Sequence, residues 1–126
     1  MSRIVVLGGG LVGRVMALDL AREQDLQVTV AERDAETLAR LRAEGLATIP
    51  LDLADDAAVR RAIAAADVVV GSAPGHMGYR LLRLVIEAGK PYADIAFMPE
   101  DFLELDAFAK ARGVTAVVDC GVAPGI

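Results

Sequence analysis

Apolar and polar positions along this chain switch repeatedly between short unbroken apolar runs and helical spacing. Ile4-Val5-Val6-Leu7 is a run of the kind buried inside a sheet, ended by Gly8-Gly9-Gly10. From there Leu11, Val15 and Leu18 recur on one face, with Val12, Met16 and Leu20 beside them and Arg14, Asp19, Arg22 and Glu23 elsewhere. That spacing predicts a helix over residues 11–24 with Leu11, Val15 and Leu18 inward. A second strand is expected over 26–31, ending at Glu32-Arg33-Asp34, with Asp34 as N-cap of a helix carrying Leu38 and Leu41.

The alternation continues. A third strand is expected over 46–50, then a helix biased at its start by Asp55 and Asp56 and buried along Val59, Ala62, Ile63 and Ala66. Residues 67–71 read as a fourth strand, apolar enough to be covered on both faces, followed by a helix with Leu81, Leu82, Val85 and Ile86 inside. A short strand over 91–95, a helix opening at Pro99 with Phe102, Leu105 and Ala109 inward, and a sixth strand over 114–118 complete the pattern. Gly45, Gly89 and Gly113 each stand where a helix must turn back into the next strand. Strands that alternate with helices call for an α/β fold, a doubly wound parallel six-stranded Rossmann sheet in the order 3-2-1-4-5-6.

Composition narrows the partners. At 126 residues, 55% apolar and 25% charged, the chain suits one globular domain with a single sizeable core. A net charge of −5 without a basic stripe argues against nucleic acid or an anionic membrane surface as a partner. One cysteine, Cys120, leaves no internal disulfide or cysteine-rich zinc site, so the expected location is the cytoplasm. Cys120 has no base nearby in sequence and reads as a packed thiol. Charged Arg14 and Asp19 interrupt the opening apolar run, which is neither a signal peptide nor a membrane span.

The candidate chemistry lies at the strand ends. Gly8-x-Gly10-x-x-Gly13 follows a strand and opens a helix. Gly8 would allow the tight turn, Gly10 the approach of a pyrophosphate, and Gly13 close packing of helix on strand. The N–H groups from Gly10 through Leu11 to Val12 would then meet the phosphates at the positive end of the helix dipole. Glu32 lies about 20 residues further on, where an acid hydrogen-bonds the adenosine ribose. Its carboxylate favours NAD over NADP, whereas Arg33 beside it could accept a 2′-phosphate. A plain packing turn with two solvated residues after the second strand is the structural alternative.

Other strand ends offer less. Asp52 could contact adenine or cap the next helix. Ser72 could bind ribose or nicotinamide through its hydroxyl and backbone. His76, the one histidine, and Asp94 are the candidates for proton transfer.

Taken together, Ile4 to Gly13, "DVVVGSAPG" from Asp67, "IEAGKPYADIAF" from Ile86 and "DCGVAPGI" from Asp119 resemble the N-terminal nucleotide-binding domain of the saccharopine dehydrogenase-like oxidoreductases. The resemblance implies that Gly8, Gly10 and Gly13 hold the cofactor diphosphate and that Glu32 is the acid of NAD-using members. It implies that Ser72, Ala73 and Pro74 border the nicotinamide. In that family the stretch like Gly121 to Gly125 leads into a second domain that holds much of the substrate site. Residues 1–126 are therefore expected to form a single dinucleotide-binding domain without that substrate domain. Such a domain would hold cofactor without turnover of its small amino-acid substrate, of lysine or saccharopine type, and a bare strand-end face could favour a homo-oligomer. The alternative from another class is a regulatory nucleotide-sensing module of the RCK type attached to potassium channels, which shares the opening motif and the acid after strand two.

Overall fold

The computed structural model describes residues 2–72, 75–94 and 116–117 of the chain. In chain order these form β1 (Ser2–Leu7), α1 (Leu11–Ala21), β2 (Leu26–Glu32), α2 (Ala35–Ala43), β3 (Ala47–Pro50) and α3 (Asp56–Ile63). There follow β4 (Val68–Gly71), α4 (Gly75–Glu87), β5 (Tyr92–Asp94) and β6 (Ala116–Val117). The helix expected from Pro99, the turn at Gly113 and the tail with Cys120 lie outside the described residues.

The strands pair in parallel in the order β3-β2-β1-β4-β5-β6, as the alternation of periods predicts. Leu7 stands opposite Ala31 on one side and Gly71 on the other, so the carboxyl ends of β1, β2 and β4 share one edge. Strand order reverses at β1, and the crevice at that edge is where such sheets receive ligands.

Both faces of β1 are buried, and its alternation divides the core. Ile4 and Val6 pack with Ala17, Val28, Val30, Leu41 and Leu46, placing α1 and α2 on one face. Val5 and Leu7 pack with Val59, Ile63, Val69, Leu81 and Val85, placing α3 and α4 on the other. Such two-sided cover is what the all-apolar runs of β1 and β4 required.

One expectation about α1 is corrected. Val15 does not face inward; it is 55% exposed, and among the described residues of the helix the buried ones are Gly13 and Ala17. Apolar residues stand almost all round α1, so spacing alone does not select its inner face. Close approach selects it, because Gly13 and Ala17, four apart, let the helix lie against the sheet. The helix also stops at Ala21 rather than 24, where Arg22 and Glu23 donate to carbonyls three residues back, at Asp19 and Leu20, in a tightened last turn.

Candidate functional site

A cavity of about 420 Å³ opens at the carboxyl edge of the sheet. Gly8, Gly10, Ser72, Glu32, Arg33 and Asp52 line it. These six were all singled out from sequence; Leu53 and Met77, which also line it, were not.

Each glycine of the opening motif has its own reason. Gly8 has a φ of 100°, a conformation that side chains disfavour, and its N–H donates to the Ala31 carbonyl at 2.8 Å. A Cβ on Gly13 would lie 2.2 Å from both the Gly8 oxygen and Ser72 Oγ, so this position sets the distance between α1 and the strands. Gly10 differs from both. Its φ of −67° suits any residue, and a Cβ there would meet nothing within 4 Å. The absent side chain therefore leaves open space at the cavity rather than making room for the protein.

That space lies at an uncapped helix start. Gly10 is the N-cap of α1, no side chain caps the helix, and its first turn carries no acid. The Gly10 carbonyl accepts from Arg14 N–H at 2.8 Å, so the N–H groups of Leu11, Val12 and Gly13 precede the helical ladder. They and the helix dipole make a place for an anion.

Glu32, at the end of β2, is held by three amides. Its Oε1 accepts from Gly9 N–H at 2.9 Å, and its Oε2 from Arg33 N–H at 2.8 Å and Asp34 N–H at 3.0 Å. The acid after strand two is thus tied directly to the glycine loop. Arg33 reaches across to Asp52 at 3.5 Å, an exposed pair that spans the β2 and β3 ends of the cavity. Asp52 does not cap α3; its Oδ1 accepts from Ala54 N–H at 2.9 Å, and the N-cap is Asp55, which accepts from Ala58 N–H.

Ser72 is tied to β1, its hydroxyl donating to the Gly8 carbonyl at 2.6 Å and its N–H to that of Leu7 at 2.9 Å. Only its oxygen lone pairs remain for a ligand. The backbone of His76 is in the first turn of α4 and that of Asp94 ends β5, but their side chains, like Ala73 and Pro74 entirely, lie outside the described set. Among the described residues no cluster of His, Cys, Asp or Glu could hold a metal ion, and no helix is long and apolar enough to cross a membrane.

Leu53 and Met77 carry no motif, which is why spacing did not point to them. Both are partly buried on the cluster beneath α3 and α4, and they present the apolar wall of the cavity.

A parallel doubly wound sheet with a glycine turn, an uncapped helix and an acid after β2 defines a Rossmann dinucleotide-binding domain. Residues 4–117 match the saccharopine dehydrogenase NADP binding domain, and the chain belongs to that family. A saccharopine dehydrogenase [NADP(+), L-glutamate-forming] from Pyricularia oryzae is 31% identical over 98% of this chain. The apo structure of saccharopine dehydrogenase (L-Glu forming) from Saccharomyces cerevisiae superimposes over 100% of the chain with a TM-score of 0.86 at 27% identity. GenD2 from gentamicin A biosynthesis, at 24% identity and a TM-score of 0.72 over 93% of this chain and 34% of its own, shares the fold. This chain spans 28% of the length of each saccharopine dehydrogenase. The family match favours the dehydrogenase reading, and the potassium-channel alternative gains no support from these relatives.

Proposed function

We propose that this domain binds a nicotinamide dinucleotide across the cavity, NAD in preference to NADP, for an oxidoreductase acting on amino-acid C–N bonds. The carrying observation is Gly10, where a missing Cβ opens onto the cavity at the unsatisfied amides of α1. The diphosphate is assigned to the N–H groups of Leu11 and Val12, and the adenosine ribose to Glu32.

Three amides hold the Glu32 carboxylate in place, and its one remaining lone pair, on Oε1, can accept from a ribose hydroxyl. The same charge repels a 2′-phosphate. Arg33, the cation that could offset this, is already paired with Asp52. The relatives are named for NADP, so the preference for NAD is the part of this reading that rests on Glu32 alone. When bound, the cofactor supplies hydride acceptance and donation. The chain's own residues hold and orient it, and Ser72, Ala73 and Pro74 are assigned to the nicotinamide end, with His76 and Asp94 as the proton-transfer candidates.

An amino-acid substrate of lysine or saccharopine type is assigned to groups outside this cavity, in a second domain. Positioning substrate over the nicotinamide can contribute about 7–11 kcal/mol of barrier lowering, so this polypeptide alone should bind cofactor without turnover. A cytoplasmic setting accords with the single cysteine. Isothermal titration with NADH, NADPH and ADP-ribose tests the reading. Tighter binding of NADPH would overturn the role of Glu32, and no binding of any of the three would overturn the function.

A further inference from the structure

The loop between β3 and α3 carries Asp52 and Leu53 to the cavity, and it is tied at both ends by contacts distant in sequence. At its start Leu51 N–H donates to the Glu32 carbonyl at 3.0 Å. Further along, the Arg80 guanidinium of α4 donates through Nη2 to the Leu53 carbonyl and through Nη1 to Asp56 Oδ1, at the first turn of α3. Arg80 follows Met77, the other apolar lining residue, by one helical turn. A single guanidinium therefore joins the two elements that bear the apolar wall.

We propose that Arg80 is a positioning residue for the adenine end of the cofactor cavity, holding Leu53 and Met77 together as the apolar surface on which the base packs. This rests on the dinucleotide reading of the cavity. The end is assigned to the base because Leu53 adjoins Asp52, which faces Arg33 of the Glu32 turn. Arg80 itself does not line the cavity. Only a planar fork reaches a carbonyl and a carboxylate at once with two parallel donors; a lysine ammonium would serve one of them well. With the fork removed, the internal bonds of the loop survive, since Ala54 and Asp55 N–H groups still donate to Asp52. The loop would keep its shape and lose its attachment to α4.

The test compares ligands with and without the base. Arg80→Met keeps the apolar stem and removes the fork; Arg80→Lys keeps the charge. Titrate the unaltered chain and both variants with NADH, ADP-ribose and reduced nicotinamide mononucleotide, which lacks adenosine. Arg80→Met should weaken NADH and ADP-ribose by about tenfold through a displaced apolar wall and leave the mononucleotide unchanged. Arg80→Lys should recover part of the loss, and it stands as the measurement if Arg80→Met fails to fold. Equal weakening of all three ligands, or no change in any, would overturn the positioning role while leaving the dinucleotide reading intact. Failure of the unaltered chain to bind NADH or ADP-ribose would overturn both.

Discussion

Helices α1 and α2 both begin at the carboxyl edge of the sheet, yet their first turns are finished in opposite ways. α2 is closed by its own sequence: Asp34 accepts from Thr37 N–H at 2.9 Å, and Glu36 adds a second acid to the first turn. α3 repeats this with Asp55 and Asp56. α1 has a glycine at the N-cap, no capping side chain and no acid. A capped start is complete without a partner, whereas an open start leaves amides free for water or an added anion and a dipole that favours the anion. The contrast separates a helix start left open from two that are closed by their own side chains, and it is the open one that the proposed diphosphate site uses.

The largest expected effect comes from forcing the open helix away from the strands. Gly13→Ala places a methyl 2.2 Å from the Gly8 oxygen and Ser72 Oγ, and a backbone carbonyl has little freedom to move aside. Stability should fall by about 1–3 kcal/mol or more, with loss of dinucleotide binding, read by urea unfolding and titration. Unfolding at unchanged denaturant would show that α1 is not set by this contact.

Gly10→Val is the next step down and acts on the ligand alone. A Cβ there meets no protein atom within 4 Å, so stability should change by about 1 kcal/mol or less, the cost of a poorer N-cap. Binding of NADH should fall by about a hundredfold or more because the diphosphate loses its approach to the amides. Equal affinity would mean that the open start of α1 is not where the anion sits.

Much of this contrast was readable before any coordinates. The glycine motif, the missing acid in the first turn of α1 and the Asp34 cap follow from short segments whose neighbours in sequence are their neighbours in space, and the strand order follows from the alternation of strands with helices. What was not readable depends on distant contacts. Nothing near Glu32 shows that Gly9 will donate to it, and nothing near Arg80 shows that its acceptors lie at Leu53 and Asp56. Val15 was misplaced because an almost uniformly apolar helix leaves its inner face to the small residues Gly13 and Ala17.

Glu32→Gln sharpens the comparison where the two helix starts meet, since Glu32 binds amides of both the glycine loop and the turn before α2. The substitution removes the charge that repels a 2′-phosphate and turns an amide N–H₂ toward N–H donors. The ratio of NADPH to NADH affinity should rise by about tenfold, with NADH itself weakened. An unchanged ratio in paired titrations would remove Glu32 from cofactor selection.

The smallest effect belongs to the closed helix and depends on pH. The Asp34 carboxyl is held below its ordinary value, first by the Thr37 hydroxyl, which donates to it at 2.7 Å, then by the Thr37 amide; desolvation opposes them, and Arg40 and Arg33 add smaller contributions that lower it. Because the folded value is the lower one, the cap's charge contributes to stability fully at pH values above the ordinary aspartate range. The contribution is lost as pH falls below about 4 and through the folded value. The difference in Tm between the unaltered chain and Asp34→Ala should therefore be constant from neutral pH down to about 5 and shrink in more acid solution. Asp34→Asn retains an accepting oxygen without a charge, so it should keep part of the cap and show no such dependence. Thermal unfolding followed by circular dichroism across this range measures all three chains. A gap between the unaltered chain and Asp34→Ala that stays constant into acid would mean that the charge adds nothing to the cap. NADH affinity measured at neutral pH should barely respond to either substitution, because α2 is completed by its own side chain and α1 is not.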